Sequence, residues 1–156
     1  MIEPEEIVEA KLIDLLDNYV TGADIIGALS PTQEGAEKLA ADTHIDVFVD
    51  QSAQGIDWKG PGVPCTYSVR VAVHYARADD KTGAGFRDVC RCVRTALSAL
   101  LGDGCAALDG EGFFCDAFTL DSTSTSPDFA SEEGGMTKTY NATMAGRYSP
   151  PTQEES

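Results

Sequence analysis

Groups suited to catalysis are scarce in this chain of 156 residues, which holds two histidines, His44 and His74, and one tryptophan. His74 falls on the polar side of an alternating segment, where solvent or a cross-strand contact is its ordinary environment. His44 stands at the start of another such segment, as a polar edge. Neither has a local partner that would suggest a cysteine–histidine nucleophile. Basic residues are also few: 11 lysines and arginines face 26 acids, a net charge of −15. A phosphate-neutralising surface is disfavoured on that balance, and specific nucleic-acid binding with it. No apolar run approaches the roughly 20 residues of a bilayer crossing, which argues against a membrane-spanning helix. The opening MIEPEEIVEA is acidic where a secretory leader is basic, so the chain is expected to stay where it is made. Five cysteines (Cys65, Cys90, Cys92, Cys105, Cys115) are an odd number without the spacing of a disulfide framework. Reduced, mostly buried thiols are the expectation.

What is present is an ordinary globular composition, 42% hydrophobic and 24% charged, of a size that makes one domain. That domain is expected over residues 1–148, with a disordered tail over 149–156. Ile7, Val8, Leu12, Leu15, Leu16 and Tyr19 recur at three- and four-residue spacing and predict a helix over 5–20. Ser30-Pro31-Thr32-Gln33 has the form of a capping box, which points to a short helix or ordered loop over 31–41. Residues 44–50 alternate Ile45, Val47 and Val49 against Asp46, Phe48 and Asp50. Residues 65–76 carry the clearest period of two, with Cys65, Tyr67, Val69, Val71, Val73 and Tyr75 on one side. A second helix follows over about 85–101, its apolar stripe running from Phe86 to Leu101 and Gly102 ending it. A glycine-rich loop, strands at 113–120 and 138–148, and a Ser/Thr-rich connection of about fifteen residues over 121–135 complete the chain. The order is helix, strand, strand, helix, strand, strand. It predicts an α+β fold, a mainly antiparallel four-stranded sheet with helices packed on one face.

Site patterns are mostly incomplete. Gly83-Ala84-Gly85 lies between strand and helix, but Asp88 stands where a dinucleotide loop needs its third glycine. Asp103, Asp109, Glu111, Asp116, Asp121 and Asp128 gather near loops without the spacing of a calcium loop, and read as a solvated acidic edge. No catalytic residue, cofactor site or metal site is assigned. One constellation stands out: Arg87, Arg91 and Arg94, at i, i+4 and i+7, form a basic stripe on the second helix. It is either a solvated face with local pairing, for instance to Asp88, or a docking surface. Residues 1–50 carry 12 acids and 2 bases, 51–100 carry 4 and 7, and 101–156 carry 10 and 2. A head-to-tail contact between copies would therefore match plus to minus and close into a ring.

The sequence of elements, Ile7–Tyr19, Ile45–Asp50, Tyr67–Arg77, Phe86–Leu101, Phe114–Leu120 and Thr139–Tyr148, with a last strand ending in Arg147-Tyr148, resembles the tail terminator (tail-completion, minor tail protein) family of long-tailed phages and prophages. The resemblance covers about residues 5–148. It implies a non-enzymatic structural protein, a homo-oligomer forming a hexameric ring that caps the tail tube. Its implied partners are the tail tube protein and a head-completion protein, in the host cytoplasm during assembly and then in the virion tail. Two other classes remain open from the residues: a small α+β enzyme or ligand-binding domain, and a dimeric adaptor.

Overall fold

The computed structural model describes residues 4–20, 24–27, 44–54, 63–76, 84–110, 112–127 and 135–149. Helix α1 spans Pro4–Tyr19. Proline at its start fits a first turn whose N–H has no partner to lose, and Glu5 and Glu6 complement the helix dipole there. Five strands form one sheet: β1 (Asp24–Gly27), β2 (His44–Gln54), β3 (Val63–Ala76), β4 (Phe113–Pro127) and β5 (Gly135–Tyr148). Helix α2 (Ala84–Ser98) lies between β3 and β4 in the chain, followed by a 3-10 helix over Gly102–Leu108. The spatial order is β1-β2-β3-β5-β4.

The four expected strands are there and pair antiparallel, β2 with β3, β3 with β5, and β5 with β4. β1 adds a fifth strand, parallel to β2, that the hydropathy pattern does not announce. Four residues, Asp-Ile-Ile-Gly, are too short to show alternation. The Ser/Thr-rich connection expected over 121–135 is also corrected. β4 runs on to Pro127 and β5 begins at Gly135, so Leu120–Pro127 pairs with Met136–Ala142. Threonine favours a pleated strand, and this half of β4 shows no apolar alternation because residues 121–125 are exposed on both faces at the sheet edge. The glycine-rich loop is in part the 3-10 helix. The expected helix over 31–41 lies outside the described residues. So does most of the expected tail; Ser149 donates its N–H to the Gly112 carbonyl at 2.9 Å.

Alternation along the strands divides the sheet into two faces. One face carries Ile45, Val47, Val49, Tyr67, Val69, Val71, Val73, Tyr140 and Met144, all buried, and both helices cover it. α1 contributes Ile7, Val8, Leu12 and Leu16; α2 contributes Phe86, Val89, Cys90, Val93, Ala96 and Leu97. The Tyr140 hydroxyl donates to the Cys90 carbonyl at 3.0 Å, which fixes the height of α2 over β5. Two bulges in β4 re-aim single acids. Asp116 receives a two-pronged contact from Arg147, 3.1 Å to each oxygen, and Asp121 accepts from the Thr143 hydroxyl.

All five cysteines are free; four are buried and Cys92 is partly exposed. Burial pushes the Cys90 thiol up, and burial together with the neighbouring Cys105 pushes Cys115 up to about 12. Thiolate is the reactive form, so these thiols are inert in the folded chain. An alkylating reagent under native conditions should therefore modify Cys92 first. The other four should label only in denaturant, as peptide mass spectrometry would show; early modification of Cys115 would contradict the packing.

Candidate functional sites

Arg87, Arg91 and Arg94 stand where the heptad spacing puts them, exposed along one side of α2 and opposite its buried stripe. Arg91 donates to Asp88 at 2.9 Å, with both side chains more than two-thirds exposed. Such a pair contributes a few tenths of a kcal/mol at most, so it does not hold Arg91 from other partners. Arg87 and Arg94 form no ion pair with another described residue.

The second half of the surface lies beside it. α1 packs on the same face of the sheet as α2. Its outer side presents Glu6, Asp14 and Asp17, exposed, with Glu9 half-buried among them. Lys11 is the one base on this helix. The helix layer therefore exposes a basic ridge and an acidic ridge side by side. Glu9 feels the crowding: burial, and then the charge of Glu6, raise its pKa above the ordinary value. A carboxyl raised in the folded state holds its proton more tightly there than in the unfolded chain. Its cost to the fold is absent at low pH and sets in as pH rises through the unfolded and then the folded pKa. Glu9→Gln should accordingly raise Tm at pH 7 and leave it unchanged below about pH 4. Equal shifts at both pH values would show that the charge is not the cause.

Other acids that the sequence groups near loops have structural work among the described residues. Asp109 accepts from the Cys115 N–H at 2.6 Å, at the entry to β4, and Asp116 and Asp121 hold β4 to β5. Glu111 and Asp128 lie outside the described residues.

The sheet face away from the helices is polar, with Thr66, Ser68, Arg70, Thr139, Asn141 and Thr143 along its central strands. Within it sits a cluster that the sequence reading missed. His44 and His74 are directly opposite each other in the β2–β3 ladder, and their rings stack at 4.6 Å. Asp46, two residues along β2, accepts from His74 Nε2 at 2.8 Å. His74 Nδ1 lies 3.2 Å from the Thr137 hydroxyl, directly opposite on β5. Although neither α1 nor α2 lies on this face, His44 is 2% exposed and Asp46 7%. The second carboxylate oxygen of Asp46 is buried and has no hydrogen-bond partner among the described residues. Both histidines thus lie on the face opposite the buried thiols, which separates them from any cysteine nucleophile. The signal was present in the alternation, which puts Asp46 and His74 off the core face; the register that joins them is not local.

No protein-family model and no curated protein matches the chain. Its fold is similar to that of a chain in a solved "Virion of native gene transfer agent (GTA) particle", with a TM-score of 0.51 and 12% identity. The match takes in 89% of this chain and 91% of that one, so the likeness extends over nearly the whole of both folds.

Proposed function

We propose that this chain is a non-enzymatic structural subunit of a phage-like virion, and within it a ring-forming tail terminator. The observation that carries the reading is the fold likeness, near full length in both directions, to a chain of a gene transfer agent virion. It agrees with the order of elements that resembles tail terminators. Assembly would run through the helix layer, the Arg87–Arg91–Arg94 ridge of one copy meeting the Glu6–Asp14–Asp17 ridge of the next. Where the two ridges of one copy engage two different neighbours the contact is head-to-tail, and a head-to-tail contact with the right rotation closes into a ring. Six copies would cap the tail tube and offer a surface to the head-completion protein, first in the host cytoplasm and then in the virion tail. The strong negative charge suits a ring around passing DNA, since like charge prevents tight adsorption.

Sedimentation velocity over a range of protein and salt concentrations tests this reading. The expected result is a closed species of six 16.5 kDa chains, about 100 kDa, that dissociates as salt rises through the range where the Debye length falls below about 10 Å. A monomer at every concentration, with no ring by electron microscopy when purified tail tubes are added, would overturn it.

A further inference from the structure

We propose that His44, Asp46 and His74 form a binding site for one divalent transition-metal ion of the Zn(II) class. The inference stands on the sheet alone and holds whether or not the chain forms a ring. Two imidazoles and one carboxylate are brought together from β2 and β3, with a ligand atom of each within 4.8 Å of the others. A tetrahedral ion with bonds of about 2.0–2.1 Å separates its ligands by about 3.3 Å. His74 Nε2 and Asp46 Oδ2 are already 2.8 Å apart. The longer separations, up to 4.8 Å, therefore involve His44, whose side chain has to move by about 1.5 Å to complete the set.

The polar surroundings favour an ion over a plain hydrogen-bonded pair. Asp46 is buried and uses one oxygen on His74, while the other has no partner among the described residues. An unmet carboxylate oxygen in a buried site is costly, and a cation satisfies it. Thr137 provides the outer support that metal-bound histidines ordinarily have. A hydroxyl both donates and accepts. It donates to His74 Nδ1 while Nε2–H points to Asp46, and accepts from Nδ1–H once the ion replaces the proton on Nε2. The donor set also selects the ion. Two imidazoles out of three ligands disfavour Ca(II) and Mg(II), and the absence of thiolate from the set disfavours Cu(I). With three ligands among the described residues, a tetrahedral ion keeps one further coordination position, which water or another group would fill.

The test is calorimetric titration of the full-length reduced chain with Zn(II), and with Co(II) for its spectrum, using Mg(II) and Ca(II) as controls. One equivalent of Zn(II) is expected to bind. The Co(II) form should show ligand-field bands without the thiolate charge-transfer band that cysteine ligation produces, and Zn(II) should raise Tm. Thr137→Val is expected to weaken binding about ten-fold, and His74→Gln, which removes a ligand from a half-buried position, by more. Circular dichroism confirms that each variant is folded. The imidazole resonances of the wild-type chain provide a reading that needs no variant: those of both histidines should shift on adding Zn(II). No saturable binding to the wild-type chain, binding unaltered in folded His74→Gln, or a thiolate band with Co(II) would each overturn the proposal.

Discussion

Replacing Arg87, Arg91 and Arg94 together by glutamate should abolish ring assembly while leaving the subunit folded. The three side chains are exposed on α2, and the one ion pair they form with a described residue, Arg91 with Asp88, is itself exposed. Surface changes of that kind move stability by about 0.5 kcal/mol or less, so Tm and circular dichroism should barely change. At the proposed contact the same changes act differently. Each exchanges an attraction of about 0.5 kcal/mol across the rim for a comparable repulsion. Three sites amount to about 3 kcal/mol per interface, or about 100-fold in association. Six interfaces in a closed ring magnify the loss.

The added negative charge would also repel copies non-specifically, and a second variant separates the two effects. Glu6→Lys, Asp14→Lys and Asp17→Lys together should fail to form rings for the mirror-image reason. Mixing the two failing variants should restore them. In an alternating ring the new glutamates of one meet the new lysines of the other, and the next contact pairs unaltered arginines with unaltered acids. Sedimentation of each protein alone and of the equimolar mixture measures this. Rings in the triple glutamate variant at low salt, or no rescue in the mixture, would show that the arginine ridge is only a solvated face.

The same two helices illustrate how much of the fold is legible in the sequence alone. α1, β3 and α2 are read from the sequence to within three residues at either end, because each buries one continuous side against the core and its apolar residues keep a strict period. Tyr67, Val69, Val71 and Val73 are buried without a break. Where an element lacks that one-sided burial the period disappears. The outer half of β4, from Asp121 to Thr125, is exposed on both faces and reads as loop, although Thr123 and Thr125 pair with Tyr140 and Lys138. β1 is too short to carry a period. The arginine ridge was legible because i, i+4, i+7 is local to one helix. The His44–Asp46–His74 cluster was not, because β2 and β3 bring together residues about thirty positions apart. Their register is set by pairing across the ladder rather than by spacing along the chain.

Gly146→Val should cost more stability than any surface change, enough to threaten folding at 37 °C. Gly146 lies in β5, opposite Cys65 on one side and Cys115 on the other. A Cβ at this position would come within 2.6 Å of the Phe113 ring and 2.7 Å of the Phe114 carbonyl oxygen. Neither neighbour has room to withdraw. Phe113 is fully buried and packs edge-on against Tyr67 at 5.8 Å, itself fully buried. The Phe114 carbonyl belongs to the backbone of the β4–β5 ladder. Relief therefore has to come from parting β4 from β5 or from turning Phe113 out of the core. Overpacking of a well-filled core costs about 1–3 kcal/mol even where side chains can shift, and more where backbone must move. Loss of the Phe113 packing would add a cost comparable to a buried Phe→Ala change, about 3–5 kcal/mol. Even Gly146→Ala should lower stability by about 3 kcal/mol, a drop in Tm on the order of 10 °C for a domain this size. Phe113→Leu in the same chain should recover part of that loss, because it removes the ring atoms the new Cβ meets. Thermal unfolding of the two single variants and the double variant forms a cycle that isolates the contact. Strictly additive losses would mean that the Phe113 ring is not the obstacle, and that the glycine at 146 is required by the backbone alone.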